Sequence, residues 1–129
     1  MERVSELRPT RIVIADDDAL LRSTIRRLLE RYGHQVVGEA YDGATAIEIA
    51  ENVKPDLILL DVSMPVMDGF EAARVVKERM PEVRLIFVSG HSDPHHHEEA
   101  VRLGASDYIP KVAVARRLPL AIEKIRSYS

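Results

Sequence analysis

Three acids stand side by side in the stretch RIVIADDDALLR, where Asp16, Asp17 and Asp18 directly follow an apolar run. A fourth, Asp61, closes a second apolar run, DLILLD. Ser89 ends a third, VRLIFVS, and Lys111 ends a fourth, SDYIPK. Carboxylates gathered together raise each other's pKa, and burying one without a partner is costly. A hard dication removes that conflict. Mg2+ prefers oxygen ligands and octahedral geometry, and is held by one or two carboxylates with waters and a phosphate oxygen. One carboxylate could then attack a phosphoryl group and become an aspartyl phosphate. A lysine and a hydroxyl would stabilise charge on the transferred oxygens.

This chemistry requires elements that bring the four positions together. RIVIA (11–15) reads as a β-branched strand. LLRSTIRRLLERYG places Leu21, Ile25, Leu28, Leu29 and Tyr32 on one helical face, with Gly33 as a C-terminal stop. QVVGEA (35–40) reads as a second strand, and GATAIEIAENV as a short helix stopped by Lys54-Pro55. DLILLD (56–61) is continuously apolar, as expected of a strand covered on both faces. A helix near 70–80 carries Phe70, Ala73, Val76 and Met80, and VRLIFVS (83–89) is a fourth strand.

DPHHHEEAVRLG predicts a helix with Asp93 as N-cap, Pro94 first and Gly104 just past its end. SDYIPK (106–111) is a fifth strand. LPLAIEKIRSY is a last helix, with Pro119 placed in its first turn, where proline is tolerated. Five strands alternating with five helices imply crossover connections and an α/β fold with a doubly wound parallel sheet. In such sheets the functional crevice lies beyond the carboxyl ends of the strands, where all four positions fall.

The 129 residues suit one domain, with a polar, flexible lead-in expected over 1–9 and the folded domain over 10–129. The net charge of −3, without a basic tract, argues against direct binding to nucleic acid or an anionic membrane. No cysteine is present, so disulfides and thiolate metal sites are excluded. No apolar run approaches the roughly 20 residues that span a bilayer, and MERVSELRP lacks the apolar core of a signal peptide, so a cytoplasmic location is expected.

ADDD, LLDVSMPVMDG, VSG and GASDYIPK, in that order and spacing, resemble the receiver domain of bacterial two-component response regulators. The likeness to this CheY-like family covers residues 11–127. It implies a flavodoxin-like sheet in the order 2-1-3-4-5. Asp61 would accept a phosphoryl group from the phosphohistidine of a sensor histidine kinase or phosphotransfer protein. Asp16, Asp17, Asp61 and the Ser63 backbone carbonyl would hold Mg2+, with Mn2+ as a substitute.

Lys111 would pair with the phosphoryl group, and Ser89 and Tyr108 would be switch residues. Ser63 and His91 would tune phosphoryl lifetime. The surface of the fourth helix, fifth strand and fifth helix would then control an output domain or partner, a phosphorylation-dependent homodimer being one form. The resemblance implies a signalling switch that catalyses only its own phosphorylation and dephosphorylation. The Pro110-Lys111-Val112 order departs from the Lys-Pro common in the family, so a trans bond is expected after Lys111. Variants with this order resemble the subfamily whose output is a helix-turn-helix.

Other residues carry plainer readings. Asp18 is placed to cap the first helix. Met64-Pro65 and Asp68-Gly69 shape a loop. Residues His95, His96 and His97 point about 100° apart on a helix and cannot all face one ion, so they read as an exposed first turn. Two other function classes share some features. A phosphatase with an Asp-x-Asp nucleophile after the first strand is matched by DDDAL, but the best nucleophile here follows the third strand. A phosphorylation-independent interaction module would show a degraded site, whereas here every position is filled.

Overall fold

A computed structural model describes residues 8–90 and 93–127. The elements alternate as β1 (Arg11–Ala15), α1 (Ala19–Arg31), β2 (Gln35–Ala40), α2 (Gly43–Val53), β3 (Leu57–Asp61), α3 (Gly69–Arg79), β4 (Arg84–Ser89), α4 (Pro94–Arg102) and β5 (Asp107–Pro110). A 3₁₀ turn (Lys111–Ala113) then leads into α5 (Val114–Ser127). The strands form one sheet in the order β2-β1-β3-β4-β5, and every pairing is parallel. The chain reverses its winding at β1, and β1 and β3 lie side by side with their carboxyl ends bordering one crevice.

Side chains alternate along each strand and so divide the core in two. Val13, Ile58, Leu60, Phe87 and Tyr108 face α2, α3 and α4. Ile12, Leu57, Leu59, Ile86 and Ile109 face α1 and α5. Central β3 is buried throughout. Each leucine or isoleucine so covered is worth about 1.5–3 kcal/mol of transfer free energy.

Local signals set the helix ends. Asp18 caps α1 by accepting from the Leu20 and Leu21 N–H groups at 3.0 and 3.2 Å. Asp68 and Glu71 form a capping box at the start of α3. The chain leaves α1 through Gly33 at φ +86°, which glycine adopts without Cβ strain.

Two helical expectations are corrected. Tyr32 was placed on the buried face of α1 but is 56% exposed. It is the C-cap residue, with ψ near 7°, so the helical spacing no longer applies to it. The last helix begins at Val114, so Pro119 lies in its interior rather than its first turn. Val114, Leu118, Ala121 and Ile122 make one buried stripe that favours the longer helix. The proline withholds an N–H from the carbonyl of Ala115, a solvent-exposed residue. No described peptide bond is cis, in line with the Pro110-Lys111 order. Among the described residues no helix is long and apolar enough to cross a membrane. Most of the expected lead-in lies outside the described residues.

Candidate functional site

Parallel register assembles the site. Ala15 of β1 pairs with Leu60 of β3 and Ala40 of β2. Asp61 pairs with Val88, and Ser89 with Pro110. Asp16, Asp61, Ser89 and Lys111 therefore come to one edge of the sheet. Asp16, Asp61 and Ser89 are each no more than 3% exposed, whereas Asp17 is exposed. One carboxylate oxygen from each of Asp16, Asp17 and Asp61 lies within 4.8 Å of the others. Lys111 Nζ stands 3.2 Å from Asp16 Oδ2 and 3.2 Å from Asp61 Oδ2.

The charges do not balance. Burial, and then the neighbouring Asp16 carboxylate, push the Asp61 pKa up to about 6 against the pull of Lys111 and the Ser63 N–H. That N–H donates to Asp61 Oδ1 at 3.2 Å. Burial alone would lower the Lys111 pKa, but Asp61 and Asp16 outweigh it and raise it. One ammonium thus faces three acids, two of them buried. The oxygen-only donor set suits a hard, oxygen-loving cation, and the three acids could hold a metal ion.

The surrounding backbone fixes the acids. The Asp16 N–H donates to the Ala40 carbonyl at 2.9 Å, and Asp16 Oδ1 accepts from the Asp18 N–H at 2.8 Å. The Asp16 carbonyl accepts from Arg22 Nη1 at 2.6 Å. Arg22 Nε also donates to Glu39 Oε1 at 3.0 Å. Sequence reasoning missed Arg22 and Glu39. Their one signal was Glu39 itself, the single acid in the strand QVVGEA, whose partial burial a cationic partner favours. After Asp61 the chain turns tightly, with the Gly69 N–H donating to the Val62 carbonyl at 2.9 Å. The Gly43 N–H at the start of α2 holds the Met67 carbonyl at 3.0 Å.

Tyr108 pairs with Phe87 in the sheet, is 8% exposed, and lies on the same sheet face as Ser89 by strand alternation. Its ring meets the His97 ring edge-on at 5.6 Å. Ser63 is exposed beside the acidic pocket. His91 lies outside the described residues. Of the histidine run, His95 and His97 are exposed as expected, but His96 is partly buried. Its ring packs edge-on against Phe70 at 5.4 Å, a contact across helices that no local pattern encodes. A cleft of about 320 Å³, lined by Arg8, Asp56, Arg84 and Arg126 among others, opens at the amino-terminal edge of the sheet, away from the acids. The acidic crevice is lined by carboxylates and the Lys111 ammonium, a donor set suited to a small cation.

Comparison with known proteins agrees with this geometry. The family model "Response regulator receiver domain" matches residues 12–123. The chain is 38% identical over 114 residues to the chemotaxis protein CheY of Bacillus subtilis (strain 168), covering 88% of this chain and 95% of that protein. It is 35% identical over 125 residues to the transcriptional regulatory protein DegU of Brevibacillus brevis, covering 96% of this chain but only 52% of DegU. The receiver domain of the putative response regulator NarL from Mycobacterium tuberculosis superimposes with a TM-score of 0.86 at 33% identity, over 92% of this chain and 97% of that one. The chain belongs to the receiver-domain family of two-component response regulators, whose members are typically signalling switches. Its fold is the CheY-like sheet that the sequence resemblance implies.

Proposed function

We propose that Asp61 is the phosphoryl acceptor of this receiver domain and that the acidic pocket holds Mg2+. The observation that carries the reading is the joint position of Lys111 Nζ, 3.2 Å from Asp61 and 3.2 Å from Asp16, within a cluster of three carboxylates. Asp61 attacks the phosphorus of a phosphohistidine on a sensor kinase or phosphotransfer protein. The new P–O bond forms as the P–N bond breaks, and the imidazole nitrogen leaves with its electron pair. Asp16, Asp17, Asp61 and the Ser63 carbonyl are the ligands for Mg2+, which when bound neutralises charge on the phosphoryl oxygens. Lys111 pairs with one phosphoryl oxygen.

The acyl phosphate adds about two negative charges and three strong acceptors at the strand edge. Ser89 moves to bind them, and Tyr108 follows on the same face of the sheet. The surface of α4, β5 and α5 then changes, and a downstream domain or partner reads it. Ser63, whose N–H meets Asp61, and His91 set how fast water removes the phosphoryl group. DegU, a transcriptional regulatory protein, and CheY, a chemotaxis protein, mark two kinds of output among relatives. The whole reaction occurs in the cytoplasm, where the kinase domain and its phosphohistidine reside.

The test is incubation with radiolabelled acetyl phosphate and Mg2+. Wild type takes up label and Asp61→Asn does not. Equal labelling of the two, or labelling of wild type that survives chelation of all divalent ions, would overturn the assignment.

A further inference from the structure

Arg22 and Glu39 form a polar bridge beside the pocket that the phosphoryl chemistry does not use. Arg22 lies in the first turn of α1, and its guanidinium grips two groups at once. Nη1 donates to the Asp16 carbonyl at 2.6 Å and Nε to Glu39 Oε1 at 3.0 Å. Glu39 Oε2 accepts from Arg26 Nε at 2.7 Å. The Arg22 and Glu39 side chains are only 19% and 28% exposed. Arg22 thus ties α1 to edge strand β2 across the turn that carries the acids.

With this contact every polar group of Asp16 is engaged. Its N–H meets Ala40, its carbonyl Arg22, one carboxylate oxygen the Asp18 N–H and the other Lys111. Among the described residues only Arg22 holds the Asp16 carbonyl, and hence the rotation of the peptide that leads into Asp17. A free carbonyl there could turn toward water and carry both acids with it.

We infer that Arg22, locked by Glu39, is a positioning residue for the acidic pocket and sets how tightly Asp16 and Asp17 hold a divalent cation. The inference rests on the cation-binding reading of the pocket. Geometry and charge make opposite demands, which makes the role testable. The Arg22 charge alone repels a dication, so removing it would tighten binding. Its grip on the Asp16 carbonyl orders the ligands, so removing it would loosen binding. Partners that orient metal ligands are commonly worth 10–100-fold in affinity.

Calorimetric titration of the intact chain with Mg2+ decides the matter, with thermal unfolding as a check on the fold. Arg22→Ala raises the Kd about 10-fold. Arg22→Lys keeps the charge but cannot hold Asp16 and Glu39 together, and falls between the alanine variant and wild type. Arg26→Ala loses a Glu39 ion pair without touching Asp16 and stays close to wild type. An unchanged or lowered Kd in Arg22→Ala overturns the inference. So does equal weakening in Arg26→Ala. If the alanine variant does not fold, a wild-type Kd in Arg22→Lys overturns it instead. Asp17→Asn separates this inference from the reading beneath it. If Asp17→Asn leaves Mg2+ binding intact, the pocket is not the cation site and both fall. If Asp17→Asn weakens binding and Arg22→Ala does not, only the role of Arg22 falls.

Discussion

Gly69 packs its Cα against the backbone carbonyl of Asp61, so closely that a Cβ at Gly69 would run into that oxygen. The two residues bound the loop between β3 and α3, and the Gly69 N–H closes it on Val62. A clash with backbone cannot be relieved by a rotamer change. Gly69→Ala should therefore displace the loop and cost about 1–3 kcal/mol, the usual cost of overpacking. Urea denaturation measures the loss. Mg2+ affinity should fall with it, because the displaced segment carries Asp61 and Ser63. A variant with wild-type stability would show that the loop yields freely and that the glycine is not required.

Asp61 should be a residue that costs stability in the metal-free protein. Its carboxyl is pushed from 3.8 to about 6 by burial and by Asp16. The folded state therefore holds the proton more tightly than the unfolded chain does. For a raised pKa the stabilising contribution is complete below the unfolded value and is lost as pH rises through the folded one. At neutral pH the ionised carboxylate opposes folding. With divalent ions chelated, Asp61→Asn should be more stable than wild type by about 1–3 kcal/mol near neutral pH. Added Mg2+ should narrow or reverse the difference by stabilising wild type alone. A metal-free Asn variant no more stable than wild type would count against a strained acceptor.

Much of this arrangement was legible because the site residues occupy the ends of apolar runs. Asp16, Asp61, Ser89 and Lys111 needed only parallel register to meet, and alternation of strand and helix supplies that register. Features that depend on contacts between distant segments were not legible. Arg22 is one, since nothing in α1 alone says that it reaches the Asp16 carbonyl. His96 looked as exposed as its neighbours because Phe70 lies 26 residues away in sequence, on another helix. Pro119 suggested a helix start, yet the buried stripe from Val114 to Ile122 outweighs one missing hydrogen bond.

Val66 was not singled out at all, though it has an unusual backbone. Its φ is +67°, and the Met67 N–H donates to the Pro65 carbonyl at 2.7 Å. A hydrogen bond between residues two apart, around a centre with positive φ, is the strained form of the γ-turn. A β-branched residue there is disfavoured by about 1–2 kcal/mol. Its side chain is 84% exposed and gains little in return. Val66→Gly should raise stability by about 1 kcal/mol, read as an increase in melting temperature. A lower melting temperature would mean that the valine methyls stiffen the loop more than the turn strains it.

His34 should make the fold sensitive to mild acid. It is buried, at 7% exposure, between β2 and the end of α5. Its Nδ1 lies 3.4 Å from Arg126 Nη1. A guanidinium can only donate, so this nitrogen must offer its lone pair and the ring must be neutral. Burial lowers the pKa of the ring below 6.5, Arg126 lowers it further, and Glu123 opposes them weakly. The unfolded chain therefore takes up the proton first as pH falls. The stabilising contribution is complete above about 6.5 and is lost as pH drops through the folded value. Protonation would also set two cations against each other and loosen Arg126, whose Nη2 holds the Arg8 carbonyl at 3.1 Å. His34→Gln retains an acceptor but cannot titrate. Melting temperatures recorded from neutral to mildly acidic pH should fall more steeply for wild type than for His34→Gln, and parallel curves would refute the coupling.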